Sequence, residues 1–234
     1  MSDESRAAGG SSSQTLSRGI QALEVLAEAE HPLTIAELAN RLGLHRSIVY
    51  RIVRTLEEHG LVVRNSAGAL ELGARLAALA RSVARDLQTA ALPELTAVAN
   101  ELGMTAFVVV LDGDDIVTTL VSVEPRHLHA AVAQRPGTRH SLEAGAPGLA
   151  IQMAMPAAAR PALVESPTHR AMPGGYATSH DEVIAGLASV AAPVVVAGRP
   201  PAAVAVVYVH HDTDTERIGA RLRAAAAAIA AELA

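Results

Sequence analysis

The sequence contains no cysteine, which excludes disulfide bonds, thiolate metal sites and cysteine nucleophiles. It also contains no lysine, so all 19 basic residues are arginine, a bias that we attribute to high-GC coding. Aromatic residues make up only 2% of the chain, so the core must be built from Ala, Val, Leu and Ile. Because small side chains bury less apolar surface each, we expect close backbone packing and help from oligomerisation.

The net charge and the short apolar runs limit the partners that the chain can have. The net charge of −5 gives no overall attraction for nucleic acid, so DNA binding must come from a local cluster of basic residues. Arg, Asp, Pro and Gly interrupt every apolar run near the length that spans a membrane. Residues 1–14 are Ser/Gly-rich and lack the apolar run of a signal peptide, so we predict a disordered leader, a cytoplasmic protein and no membrane partner.

The first third of the chain has the element order of a winged helix-turn-helix. Thr34 and Glu37 have the spacing of a capping box, which starts the second helix. Residues 65–68 form the turn of a hairpin. The predicted helices cover residues 18–29, 34–42 and 45–58, and the predicted strands cover 61–64 and 69–72.

The turn between the second and third helices meets the constraints of such a motif. Ala39 supplies a small residue where the two helices touch, and Gly43 tolerates the positive φ of the turn. Five further positions must be buried and are apolar: Leu38, Leu42, Leu44, Val49 and Ile52.

The outward face of the third helix is predicted to contact DNA, with its N-terminal part in the major groove. Arginine pairs with guanine edges or phosphates, and Ser and Tyr commonly contact phosphates. The alternative is an ordinary helical hairpin with a solvated arginine face, because residues 14–72 hold six Arg against seven acidic residues. We place Glu57 and Glu58 off the DNA face. The predicted contacts, including the wing, are Thr34, Arg46, Ser47, Tyr50, Arg51, Arg54, Arg64 and Asn65.

The rest of the chain is predicted as α+β. A connecting helix over residues 73–89 and a further helix over 92–102 precede a region rich in strands. Strands are expected at 105–111, 116–123, 128–133, 190–196 and 202–209, and helices at 145–155 and 212–234. We predict four segments: a leader (1–14), the winged helix-turn-helix (15–73), the connecting helix (74–90) and a sensor and oligomerisation domain (91–234).

Several segments of the sequence resemble the IclR family of bacterial transcriptional regulators. The matching segments are Ser17–Leu23, Pro32–Ala39, Val49–Glu57, Leu72-Gly73, Glu101–Thr105, Pro136–Leu142, Gly175-Tyr176 and Gly186–Pro193. The resemblance implies a winged helix, a connecting helix and a GAF-like (profilin-like) effector domain. It also implies a ligand-responsive regulator without a cofactor or catalytic activity. Such a regulator would bind a pseudo-palindromic double-stranded DNA operator as a homodimer or homotetramer.

The resemblance also suggests an effector pocket with unusual residues. The family usually has His at the position of Glu143 and a basic residue at that of Leu149. Ala205 and Val207 stand where some relatives have polar residues, which favours a fairly apolar effector or a lost response. The expected pocket residues are Leu128, Ala146, Pro147, Gly148, Ser189, Ala205 and Val207.

Other candidate chemistry is weaker. His127 and His129 share one strand face and suit a metal, but exposed strand histidines are the simpler interpretation. His210 and His211 are expected to point to opposite faces, and residues 112–115 form a turn and not a calcium loop. The alternative to a regulator is a small-molecule-binding or catalytic domain whose winged helix serves dimerisation only.

Overall fold

The computed structural model describes residues 13–126, 131–156 and 168–234. The chain divides between Val83 and Ala84 into two compact units. In the described part of the chain, no helix combines the length and the apolar character needed to cross a membrane.

The N-terminal unit confirms the predicted order of three helices followed by a hairpin. β1 and β2 are antiparallel, and an isolated bridge joins Leu33 to Leu70. The elements are α1 (Gln14–Ala27), α2 (Ile35–Leu42), α3 (Arg46–Glu58), β1 (Val62–Arg64), β2 (Leu70–Leu72) and α4 (Arg75–Ala80).

One apolar cluster holds this unit together. Gly43 adopts a φ of 63°, the left-handed conformation that the turn between α2 and α3 requires. Leu42 and Leu44 are half-buried rather than buried, because they flank this turn at the edge of the core. The buried members are Ala22, Leu26, Leu33, Leu38, Ala39, Val49, Ile52, Val53, Leu56, Val62 and Leu70.

The prediction of one continuous connecting helix over residues 73–89 is wrong. The short helix α4 ends at Ala80, residues 81–84 form a turn, and Ala84 adopts a φ of 43°. The helix α5 (Arg85–Leu102) then continues across the boundary that was expected near residue 91. No residue of α4 is buried. Helices of this length depend on packing for their stability. Because the residues of α4 bury no side chain, packing does not stabilise a longer helix through residues 81–84.

The C-terminal unit is built on a seven-stranded antiparallel sheet with the strand order β5-β4-β3-β9-β8-β7-β6. Helices α5 and α7 pack on one face and α6 packs on the other. The fold is α+β, as predicted. The elements are β3 (Thr105–Asp112), β4 (Ile116–Val123), β5 (Arg139–Ser141), α6 (Gly145–Ala154), β6 (His169–Met172), β7 (Tyr176–His180), β8 (Leu187–Val194), β9 (Ala202–Val209) and α7 (Thr215–Leu233).

Alternation along the central strands divides the core of this unit in two. On β9, Val204 and Val206 face α5 and α7, whereas Ala203 and Ala205 face α6. Both faces of the central strands are buried, which explains why β9 reads as a continuous apolar run. The small side chains let α6 approach the sheet closely, as the composition predicts.

The observed strands differ from the sequence predictions in two ways. The strand predicted over residues 128–133 is wrong for 131–133, which are irregular, and 128–130 lie outside the described residues. The edge strands β5, β6 and β7 were not predicted, since they are short and lack a regular alternation of apolar residues. β6 and β7 form a hairpin with each other, whereas β5 pairs with β4, more than 20 residues earlier in the chain.

Candidate functional site

The predicted DNA-contact helix is held in place by two capped helix starts. The Thr34 backbone N–H donates to the Glu37 carboxylate at 2.7 Å, and the Glu37 backbone N–H donates to the Thr34 hydroxyl at 3.2 Å. These bonds confirm the capping box, and the one from the Thr34 N–H is the main cause of a lowered pKa of Glu37. His45 caps α3, where its Nδ1 accepts from the Ser47 backbone N–H. These bonds fix where α2 and α3 begin, and the apolar cluster holds α3 against α2.

The outward face of α3 is exposed along its whole length. It lies opposite the buried stripe of α3, which includes Val49 and Ile52. The Ser47 hydroxyl lies 2.8 Å from His45 Nδ1. The exposed side chains are those of Arg46, Ser47, Tyr50, Arg51 and Arg54, as the sequence predicts.

Two acidic residues that were expected to lie off the DNA face each form an ion pair with an arginine predicted to contact DNA. Arg54 Nε lies 3.1 Å from the Glu58 carboxylate, and Arg64 Nε lies 2.7 Å from the Glu57 carboxylate. The expectation that both glutamates lie off the DNA face is therefore wrong: Glu58 lies one helical turn from Arg54 on α3, and Glu57 meets Arg64 where β1 packs against α3. Within the described residues, Arg46 and Arg51 have no carboxylate partner and are available to another molecule.

The polar side chain of Asn65 builds the wing turn. Its Oδ1 accepts from the backbone N–H groups of Ala67 and Ala69, both at 3.0 Å, and its Nδ2 donates to Glu71 at 2.8 Å. The Thr34 hydroxyl is likewise engaged, because it donates to Glu37 at 2.8 Å. Contacts of these two residues with DNA therefore remain predictions that compete with bonds inside the unit.

A cavity lies in the C-terminal unit beside the N-terminus of α6. Its empty volume is about 570 Å³, including the space at its open mouth. The walls come from the sheet, the start of α6, the β7–β8 turn and the segment before β5. The lining residues are Phe107, Gln134, Thr138, His140, Gly145, Pro147, Ser179, Glu182, Val183, Ile184, Leu187, Ser189 and Val207.

The expected pocket residues fall into three groups. Pro147, Ser189 and Val207 line the cavity. Ala146, Gly148 and Ala205 are buried beside it and do not line it, and Leu128 lies outside the described residues.

The packing of α6 explains two of these placements. A Cβ on Gly148 would lie 2.3 Å from the Leu142 carbonyl oxygen, so this glycine serves the close approach of α6 to the preceding loop. Leu149 is buried in the core beneath α6. Glu143 is exposed just before the helix and does not line the cavity.

An acidic side chain that the sequence analysis missed occupies the N-terminus of α6. The Gly145 backbone N–H donates to Glu182 at 2.7 Å, and the Ala146 backbone N–H donates to the Ser179 hydroxyl at 2.8 Å. The other carboxylate oxygen of Glu182 bonds to His169 Nδ1. Helix N-termini attract anions, so Glu182 takes the position that a bound anion would otherwise fill.

His140 adds a titratable group to the wall of the cavity. Its Nδ1 lies 2.9 Å from the Ser141 carbonyl oxygen. Burial lowers the pKa of His140 below its ordinary value, against the smaller opposing effects of the Ser141 bond and the charge of Glu182. The imidazole is therefore neutral at neutral pH.

Only the Gly174-Gly175 turn in the sequence could have indicated the β6–β7 hairpin that carries His169 and Ser179 to this site.

Comparison with known proteins identifies the family. Residues 15–66 match the model of the IclR helix-turn-helix domain. Over 177 residues the chain is 31% identical to the probable transcriptional regulator SauR of Cupriavidus necator, covering 73% of this chain and 68% of that protein. This chain belongs to the IclR family of transcriptional regulators.

Two other similar proteins extend the comparison. The HTH-type transcriptional regulator Rv1719 of Mycobacterium tuberculosis is 35% identical over 61% of this chain, and the match spans 55% of that protein, about half its length. An IclR homolog from Microbacterium hydrocarbonoxydans, solved with 4-hydroxybenzoate, has a TM-score of 0.78. The two chains are 24% identical, and the match covers 94% of this chain and 99% of the homolog, which supports the same fold.

Proposed function

We propose that this IclR-family chain binds a double-stranded DNA operator through α3 and that a small molecule in the C-terminal cavity controls this binding. The observation that carries the proposal is the exposed basic face of α3, where Arg46 and Arg51 have no carboxylate partner among the described residues. The functional segments proposed are 15–73 for DNA binding and 91–234 for sensing, and the connecting segment 74–90 comprises α4, the turn at 81–84 and the start of α5. The chain acts by binding and not by catalysis, in the cytoplasm.

The N-terminal half of α3 is proposed to enter the major groove. Arg46 and Arg51 would contact guanine edges or phosphates, and Ser47 and Tyr50 would contact phosphates. Arg54 would contact the DNA phosphate backbone after exchanging its carboxylate partner, Glu58, for a phosphate. Since an exposed ion pair contributes only about 0.2–1 kcal/mol, this exchange costs little.

Two copies of the chain are proposed to bind the operator together. Leu16 and Ile20 on α1 are 64% and 48% exposed, and Leu79 on α4 is 55% exposed, although all three are large apolar residues. Burying such side chains against a second copy is favourable. A homodimer, or a homotetramer built from two dimers, would present its recognition helices to half-sites about one helical turn of DNA apart.

The cavity is proposed to hold a small, largely apolar and neutral effector. Phe107, Pro147 and Val207 supply apolar walls, and Ser189 is half-buried, with its hydroxyl donating to the Val206 carbonyl at 2.8 Å. The carboxylate of Glu182 already holds the first amide of α6 and would repel a second anion. The complex of the Microbacterium homolog with 4-hydroxybenzoate supports a small aromatic molecule, whereas the neutral charge proposed here rests on Glu182, since 4-hydroxybenzoate is itself an anion.

Effector binding and DNA binding are proposed to be coupled through conformation. A ligand shifts the DNA-binding equilibrium only if it binds one conformation of the chain more tightly than another. The cavity walls come from segments far apart in the sequence, including α6 and the β7–β8 turn. A ligand that draws these segments together would therefore favour one arrangement of the sensor unit.

The deciding experiment is a titration of fluorescent DNA from the upstream region of this gene at two salt concentrations. Arg51→Ala is expected to weaken binding by about 1–3 kcal/mol if Arg51 contacts a base, or to reduce the salt dependence if it contacts a phosphate. Arg223→Ala removes an equally exposed charge on α7 and is the matched control.

Three outcomes separate the alternatives. Binding lost in Arg51→Ala and kept in Arg223→Ala supports the proposal. Equal binding by all three proteins would show that α3 does not dock as proposed. No binding at low salt would favour a winged helix used for dimerisation only, attached to a ligand-binding domain.

A further inference from the structure

Two histidines and an aspartate, residue types that bind metal ions in proteins, lie close together outside the DNA face, and they do not line the cavity. His180 is the last residue of β7, Asp181 follows it in the β7–β8 turn, and His210 follows β9. The His210 backbone N–H donates to the Gly186 carbonyl at 2.8 Å, which holds the end of β9 against the turn. The β7–β8 turn and the end of β9, which lie on either side of β8, therefore bring together three side chains from segments about 30 residues apart.

The three side chains converge on one point. Asp181 Oδ2 lies 3.1 Å from His180 Nδ1 and 3.1 Å from His210 Nδ1. One ligand atom from each of the three residues lies within 4.8 Å of the other two. Around a zinc ion with bonds of about 2.0–2.2 Å, tetrahedral geometry separates neighbouring ligand atoms by roughly 3.3–3.6 Å. The two distances from Asp181 Oδ2 are close to this separation, and side-chain rotation would have to bring the two histidine nitrogens to it.

The surrounding structure fixes the orientation of these groups. The imidazole rings of His180 and His210 stack with centroids 4.6 Å apart and an interplanar angle of 22°. Asp181 Oδ1 accepts from the Gly186 backbone N–H at 2.6 Å, which leaves Oδ2 directed at the two histidines. Hydrogen bonds of this kind orient the ligands in protein metal sites.

The backbone at Asp181 is held in an unusual conformation. Its φ is 56°, one of two positive values among the described residues other than glycine. Aspartate visits this region more readily than most residues, at a modest cost. In this conformation Asp181 Oδ2 lies at the Nδ1 edge of both stacked imidazoles.

We propose that His180, Asp181 and His210 form a binding site for a divalent metal ion of the zinc type. Two imidazole nitrogens and one carboxylate oxygen, without sulfur, match the ligands preferred by zinc and related transition metals. All three side chains are about two-fifths exposed, so water can complete the coordination.

Metal binding would tie the turn that forms one wall of the cavity. The residues after Asp181 in this turn, Glu182, Val183 and Ile184, line the cavity. An ion held by His180, Asp181 and His210 would join this turn to the end of β9 and restrict its movement. The sensor unit would then respond to metal as well as to its effector.

The test uses the tag-free full chain and zinc chloride, with binding followed by calorimetry and by the absorption of Co²⁺ as a substitute ion. His210→Gln and Asp181→Asn are each expected to weaken Zn²⁺ binding by about tenfold or more, since even the loss of an outer partner costs that much in metal sites. His211→Gln is the matched control, because His211 is adjacent in sequence and its Nδ1 lies 2.6 Å from the Val209 carbonyl oxygen.

A second measurement separates the site from general folding effects and from the other histidines of the chain, which has ten. Zn²⁺ should raise the thermal midpoint of the native chain and of His211→Gln, but not that of His210→Gln or His180→Gln, while the metal-free midpoints stay similar. It should also slow hydrogen exchange at the Gly186 amide. Equal Zn²⁺ affinity in the native chain, in His210→Gln and in His180→Gln would overturn the proposal. The absence of any Zn²⁺ binding would overturn it as well.

Discussion

Arg64 in β1 and Glu57 in α3 form an ion pair in which Arg64 Nε lies 2.7 Å from the carboxylate. About a third of each side chain is exposed. The pair joins the wing to the helix that is proposed to contact DNA, so an arginine expected to reach phosphate is neutralised within its own unit. The charge of Glu57 would therefore oppose DNA binding twice, by holding Arg64 and by repelling phosphate.

Replacing Glu57 with Gln is expected to strengthen operator binding. Because an exposed or half-exposed ion pair contributes about 0.2–1 kcal/mol, its loss should improve affinity by up to about fivefold and steepen the salt dependence. Glu24→Gln makes the same charge change on α1 and serves as the control. A DNA titration that finds equal gains in both variants would mean that net charge, and not the release of Arg64, causes the effect.

Replacing Glu182 with Gln is expected to admit anionic ligands to the cavity. The amide oxygen of Gln can still accept from the Gly145 N–H, but the negative charge at the start of α6 is removed. Calorimetry with benzoate and benzamide should show a gain in affinity for benzoate of about tenfold in the variant, as the loss of a like charge nearby allows, and little change for benzamide. Glu143→Gln, which alters an exposed glutamate before the same helix, should leave both affinities unchanged. Tight benzoate binding by the native chain would contradict this account.

Acidification is expected to destabilise the sensor unit through His140. Its pKa in the folded chain is lowered by burial, so between that value and about 6.5 the unfolded chain binds a proton that the folded chain does not. The free energy of unfolding therefore falls as the pH drops through this window, by at most about 1.4 kcal/mol per pH unit for this group.

Thermal midpoints measured between pH 8 and pH 5 check this expectation. The decrease should be smaller in His140→Asn than in the native chain, because Asn cannot take up the proton. His31→Asn, at an exposed position before α2, should follow the native curve. Identical decreases for all three proteins would show that His140 does not titrate differently in the folded state.

Helix α7 is expected to tolerate no side chain at Gly219. A Cβ at this position would lie 2.5 Å from Cγ of the Tyr176 ring, far inside van der Waals contact. Gly219→Ala should lower the free energy of unfolding by about 1–3 kcal/mol through overpacking, despite the better helix propensity of Ala, which is worth about 1 kcal/mol. Chemical denaturation is the direct measurement.

A double-mutant cycle tests the cause of that loss. In a Tyr176→Leu background the added methyl group no longer meets the ring, so Gly219→Ala should cost less than in the native chain. Equal costs in the two backgrounds would place the strain elsewhere than at Tyr176.

The winged-helix unit could be predicted from the sequence because its signals are local. The bonds between Thr34 and Glu37 span three residues, and the left-handed conformation at Gly43 depends on that residue alone. The apolar positions of α3 follow the helical period and form its buried stripe. A short stretch of sequence therefore carries the information for each element and for the exposed face of α3.

The sequence by itself determined the family, the α+β class and the residues that α3 exposes to solvent. Only the tertiary structure decided which side chains surround the cavity and that the helix breaks at residues 81–84. Glu182 reaches Gly145 across 37 positions, and His210 reaches Asp181 across 29. Such contacts follow from the strand order β9-β8-β7 and from the packing of α6 on the sheet. The physical reason is that turns and caps are fixed by bonds between near neighbours, while side chains from distant strands meet only once the whole sheet has formed.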